Sequence, residues 1–377
     1  MKTLTSLIAL FTIICLFTTT TLAAIQIDII GPTGSGTFGN QVVVLPNGNI
    51  VISDPGYDLP GPISDVGAVY LYSGSSGSMI SMLTGSTAGD QIGNGGIIAL
   101  TNGNYVVGSP NWDNGGIIDA GAATWGNGTT GISGAVTASN SIVGSSLFDR
   151  VGGSGITALT NGNYVVNSGN WDNGGILNVG AATWGNGSTG TSGAVSASNS
   201  LVGSAASDQV GNGGIIALTN GNYVVGSTGW DNGGIINVGA ATWGNGSTGT
   251  SGTVSASNSL VGSAASDSVG NFGITALTNG NYVVGSASWD NGGIGNVGAA
   301  TWGSGSTGTS GAVSASNSLV GSTASDFVGN GGITALTNGN YVVRSAGWDN
   351  GGITSVGAAT WGNGSTGTSG AVSASNS

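Results

Sequence analysis

Histidine and glutamate do not occur in this chain, and its one lysine is Lys2. The missing histidine removes the commonest general base and the commonest metal ligand. Cations are scarce: beyond Lys2 only Arg150 and Arg344 stand against fifteen aspartates, for a net charge of −12. Nucleic-acid phosphates and anionic lipid headgroups are held by clustered Lys and Arg, so neither nucleic acid nor a membrane surface is an expected partner. The single cysteine, Cys15, lies in an apolar leader. No disulfide staples the remainder, and a continuous core has to hold it. No window joins helical apolar spacing to good helix formers, which leaves strands and turns.

The leader comes first. Met1-Lys2, an apolar run over 7–17 and then Leu22-Ala23-Ala24 read as a secretory signal peptide, 1–24. The run is too short for a membrane span. The mature chain, 25–377, is therefore expected to be secreted, extracellular or at a cell surface, without membrane insertion. It is rich in Gly, with 77 in all, and in Ser, Asn and Thr. Disorder is the first reading of such a composition, but Val, Ile, Leu and aromatic residues sit at fixed places throughout, which disordered chains lack.

Those places repeat. Trp112, Trp171, Trp230, Trp289 and Trp348 recur at a constant step of 59 residues (112 to 171, 171 to 230, and on), and so do Trp125, Trp184, Trp243, Trp302 and Trp361. A period this long signals a propeller, a solenoid or an array. In the second unit, strands are predicted over 96–100, 105–109, 121–125 and 135–143. Thr101-Asn102-Gly103-Asn104 joins the first two, and Asn-Gly between apolar runs is a strong hairpin signal. Four short strands make a propeller blade, and small residues on inner strands let blades crowd at an axis.

The expected fold is therefore all-β, a six-bladed β-propeller over 25–377, with a seven-bladed or truncated ring also open. A β-solenoid competes, but the tight hairpin argues against its wide corners. The first unit diverges, with Tyr57-Asp58 where Trp112-Asp113 stands and Leu71 aligned with Trp125. A position that accepts Leu reads as core, so the second tryptophan of each unit is expected to be buried. The last unit stops inside its fourth strand, and Ile29-Ile30-Gly31 matches Leu319-Val320-Gly321. The N-terminal strand is expected to complete the last blade and remove the exposed edge.

Ile92-Gly93, Val106-Val107-Gly108-Ser109-Pro110 and Gly121-Ala122, with a literal Phe38-Gly39, resemble the FG-GAP repeat of integrin-α-type propellers. The near-identical units also resemble repeats of unknown function in bacterial haemagglutinin-like surface proteins. The resemblance implies an extracellular propeller for adhesion or ligand binding. Where many FG-GAP repeats carry an acidic calcium loop, this chain has Thr101-Asn102-Gly103-Asn104 without a carboxylate, so no metal and no cofactor are expected.

In a propeller the loop after strand two shares a face with the link into strand one. Asp113, Asp172, Asp231, Asp290 and Asp349, with Asp54, Asp58, Asp65 and Asp119, fall in the first. Asp90, Asp149, Asp208, Asp267 and Asp326 fall in the second, where they read as turn caps. Fourteen of fifteen carboxylates are thus expected at one mouth. Five Trp-Asp-Asn trios also lie there: Trp112-Asp113-Asn114, Trp171-Asp172-Asn173, Trp230-Asp231-Asn232, Trp289-Asp290-Asn291 and Trp348-Asp349-Asn350. An indole can stack on a sugar while Asp and Asn hold hydroxyls, and several such sites would add avidity. The other reading is structural: Trp between blades and Asp-Asn-Gly as an Asx-type turn. With no Ser-His pair, thiol or distinguished Asp pair, no catalytic residue is assigned. A monomeric, non-enzymatic module for an extracellular glycan or glycoprotein is the expected function, with a purely structural surface repeat as the alternative and a carbohydrate-active enzyme behind it.

Overall fold

The computed structural model describes residues 26–377; the expected signal peptide, 1–24, lies outside the described residues. Among these, every regular element is a strand. The second unit shows the plan. Ile97–Ala99, Tyr105–Ser109, Ala122–Gly126 and Ser141–Val143 form an antiparallel meander. The hairpin is where the sequence puts it, but of a different kind. Leu100 N donates to Asn104 O (2.8 Å), Gly103 N donates to Leu100 O (3.0 Å), and Gly103 alone takes a positive φ, 90°. This is a three-residue loop ending in a left-handed Gly. Asn102 stays out of that region because its Oδ1 accepts from Asn104 N (3.1 Å).

Each sheet but the last has a fifth strand that the sequence reading lacks. Gly134–Ala135 of the second unit pairs in parallel with Leu83 and Thr84 of the first, and Gly193–Ala194 of the third with Ile142 and Val143 of the second. The same exchange recurs at the next three junctions. A two-residue strand has no periodicity of its own to detect. Every unit thus lends a strap to the sheet before it.

The core lies between sheets. Along Tyr105–Ser109 alternate side chains face opposite neighbours. Tyr105 and Val107 join Val51, Val69 and Leu71 of the first unit; Val106 joins Val166, Trp171 and Ala181 of the third. All five residues of that strand are buried, as expected for a sheet covered on both faces. Neighbouring first strands lie side by side. Gln41 spans one such gap, accepting from Ile97 N (2.7 Å) and donating to Ile97 O (3.2 Å).

The expected closure does not occur. Ile29 and Ile30 belong to no strand, Ile30 is 81% exposed, and the last sheet has three strands, Ile333–Ala335, Tyr341–Ser345 and Ala358–Gly362. The reason lies in the first unit. Tyr70 and Tyr72 replace the small residues Thr124 and Gly126, and Ile29 and Phe38 pack beside them with Tyr57. Buried Asp54 pins the same segment, its Oδ1 accepting from Thr37 N (2.7 Å). The leading segment therefore caps its own unit. Val44 at one end is 65% exposed and Trp361 at the other 52%, so the outer faces of the first and last sheets do not cover each other. Among the described residues no strand pairing joins the first sheet to the last.

Candidate functional site

The Trp-Asp-Asn trios are structural. Trp112, Trp171, Trp230 and Trp289 are each 3% exposed and Trp348 is 5%, so none offers an indole face to a ligand. Each lies in a core cluster between two units. The acids are committed as well. Asp113 Oδ1 accepts from Asp119 N (2.9 Å), and Asp172, Asp231, Asp290 and Asp349 accept in the same way from Asn178, Asn237, Asn296 and Ser355 (2.7 Å each). Those acceptor contacts hold residues with φ near +50°, a conformation that costs L residues energy unless locally bonded. Asn114 pairs with Ile117 around a Gly-Gly turn, and Asn173, Asn232, Asn291 and Asn350 do likewise. The stacking expectation is thus corrected for the five indoles, because the core between sheets takes them.

The two sets of aspartates do share one end of the sheets. Asp113 N donates to Asp90 Oδ1 (3.0 Å), and Asp172 N to Asp149 Oδ1 (2.9 Å). Asp54, Asp90, Asp149, Asp208, Asp267 and Asp326 are fully buried and add little to the surface field. Of those in solvent, Asp119 pairs with Arg150 (3.1 Å). Among the described residues no three acids gather closely enough to hold a metal ion.

The second tryptophans behave differently. Trp125 donates its Nε1–H to the carbonyl of Gly187 in the next unit (2.9 Å), and Asn102 and Asn104 donate to the same oxygen (2.8 Å each). Trp184 with Gly246, Trp243 with Gly305, and Trp302 with Gly364 repeat the lock. The expectation of a fully buried side chain is corrected: these four indoles are half-buried. Each lines a cleft between units, of about 200 to 290 Å³. The Trp184 cleft is lined by Thr191, Ser198, Asn199, Thr248, Gly249, Thr250 and Ser251. No lining residue of the four clefts is charged. They open beside the 3–4 turns, at the end of the sheets away from the aspartates.

Segments 44–94, 99–153, 158–212, 217–271, 276–330 and 335–377 match the model of a repeat of unknown function, DUF5650. The chain belongs to that family. The match establishes six tandem repeats without extending to FG-GAP, and no curated protein matches the chain. Each DUF5650 segment starts at the 1–2 hairpin, and the first five end in the link to the next unit, so the junction lock falls within the matched sequence. The clefts of the DUF5650 array were missed from sequence because Leu71 made the second tryptophan read as core. The signal was the hydroxyl-rich turn after it, Gly185-Asn186-Gly187-Ser188-Thr189-Gly190-Thr191-Ser192, which has far more hydroxyls than a turn requires.

The buried aspartates between DUF5650 units are strong anchors. Asp149 Oδ2 accepts from Ser145 N (2.7 Å) and Ser146 N (2.8 Å), and Oδ1 from Asp172 N. An Asn here would turn an NH2 towards backbone N–H groups. Asp149→Asn is expected to cost about 1–3 kcal/mol, measured as a shift in urea midpoint. Burial pushes the Asp90 and Asp149 carboxyls up, against the pull of these N–H groups. A folded-state value above the unfolded one contributes stability that is whole in acid and is lost as pH rises through the folded value. The penalty of Asp149→Asn should therefore be larger in mild acid than at neutral pH.

Proposed function

We propose that this chain is a secreted, non-enzymatic recognition array that binds glycans in the four clefts at Trp125, Trp184, Trp243 and Trp302. Its sheets are read as blades of a propeller-type row left open, displayed outside the cell for adhesion. One observation carries the reading: the same half-exposed indole, fixed by its Nε1 bond and ringed by Thr, Ser and Asn side chains, recurs at four junctions. A fixed aromatic face suits the apolar side of a sugar ring, and hydroxyls and amides supply both donors and acceptors for its hydroxyls. Pre-set aromatic platforms bind at little entropic cost.

Position 71 supplies the test. Leucine is native there and fully buried, so the fold accepts Leu in place of the second tryptophan. A glycan array probed with the mature protein and with the quadruple Trp125→Leu, Trp184→Leu, Trp243→Leu, Trp302→Leu variant should show binding to the first and none to the second. Each lost platform removes about 1 kcal/mol, summed over a multivalent contact. A silent array with the parent protein would favour the purely structural surface repeat, a reading supported by the burial of the first tryptophans and by the junction locks.

A further inference from the structure

The four clefts are not separate. Thr191 lines both the Trp125 cleft and the Trp184 cleft; Thr250 lines those at Trp184 and Trp243; Thr309 lines those at Trp243 and Trp302. One threonine thus forms the wall between each pair, and its hydroxyl is pre-set. Thr191 Oγ1 accepts from Asn186 N (2.9 Å), Thr250 Oγ1 from Asn245 N (3.1 Å), and Thr309 Oγ1 from Ser304 N (3.3 Å). Each of these hydroxyls is thus held in place by its own turn, in the wall that two clefts share.

We infer that the clefts form one continuous groove for a linear polysaccharide without anionic groups, lying across several units, each indole stacking on a sugar and each shared threonine binding between two of them. This rests on the glycan reading above and narrows it in two ways. The ligand is a polymer, because contiguous subsites with common walls reward a chain that continues from one into the next. It carries no anionic groups, because the lining holds no charge to pair with a carboxylate or sulfate, and burying an unpaired anion against the electron-rich face of an indole is costly. The aspartates, at the other end of the sheets, repel a polyanion in addition.

The test is calorimetric titration of the mature protein with size ladders of linear neutral oligosaccharides (β-1,4-glucan, β-1,3-glucan and mannan), and with polygalacturonate as the charged counterpart. Affinity for one neutral ladder should rise about 10²-fold once the oligomer is long enough to bridge adjacent clefts, while the number bound per protein falls. In the Trp184→Leu, Trp243→Leu variant the inner platforms are gone and the outer two remain. That variant should still bind short oligomers, in about half the number, and lose the gain with length; its melting curve checks that it is folded. Short oligomers bound at four equal sites with no gain in length would overturn the continuous groove and leave the glycan reading standing. Tighter binding of polygalacturonate would overturn the exclusion of anionic polymers. No binding to any ladder would overturn both.

Discussion

Gly246→Ala is expected to destabilise the protein by about 3 kcal/mol or more, although it adds one methyl group to a turn. A Cβ on Gly246 would run into the carbonyl of Gly221, with the Asn161 amide 3.1 Å away on its other side. Two backbones approach there with no flexible side chain to yield. The same residue is the hub of the junction: its carbonyl accepts from Asn161 Nδ2, Asn163 Nδ2 and Trp184 Nε1, and its N–H donates to Asn222 Oδ1 (3.0 Å). Displacing it strands donors that are largely out of water, and unmade bonds of that kind carry the full desolvation penalty. Gly234→Ala is the matched control, since nothing lies within 4 Å of a Cβ there; it should stay within about 0.5 kcal/mol of the parent. Guanidinium unfolding of the two variants decides it, and equal midpoints would mean that the junction is not built on this close approach.

The contrast shows what was legible in the sequence. The period, the six units, the meander and the hairpin after Leu100 were all readable, because each depends on local pattern: a fixed step between tryptophans, apolar runs, and Asn-Gly between them. Closure was not readable. The match between Ile29-Ile30 and Leu319-Val320 compares two short apolar runs, whereas the outcome was set by Tyr70, Tyr72 and Asp54, which draw the leading segment onto its own unit. The fifth strands were hidden because Gly134-Ala135 carries no pattern, and its partner lies a unit away. The burial of the first tryptophan was not readable for a related reason. Trp-Asp-Asn looks like a binding trio in a single unit, but the side chain's exposure is decided by the adjoining sheet, which single-unit spacing does not encode. The acids were placed at the right end, while their burial was again a matter of neighbours.

Trp230→Ala should cost about 3–5 kcal/mol, whereas Trp184→Leu should cost little beyond the bond to Gly246, about 1 kcal/mol. Both tryptophans keep the same 59-residue step, so periodicity predicts no difference between them. Trp230 is 3% exposed and fills the space bounded by Val165, Val210, Val238 and Val254, drawn from both sides of one junction. Truncating it leaves a cavity that two rigid sheets cannot close, which is the condition for the upper part of that range. Tyr57 occupies the same position in the first unit at 8% exposure, so Trp230→Tyr should recover most of the loss. Trp184 lines its cleft, and Leu71 shows that the site takes an aliphatic side chain. Melting and oligosaccharide titration of the same three variants separate the roles. Trp230→Ala should lower the melting temperature steeply and weaken binding only as far as it unfolds the array. Trp184→Leu should lose binding at its cleft with the fold intact. If Trp230→Tyr instead abolished binding while remaining folded, the first tryptophan would be the ligand contact after all, and the groove at the other end of the sheets would have to be given up.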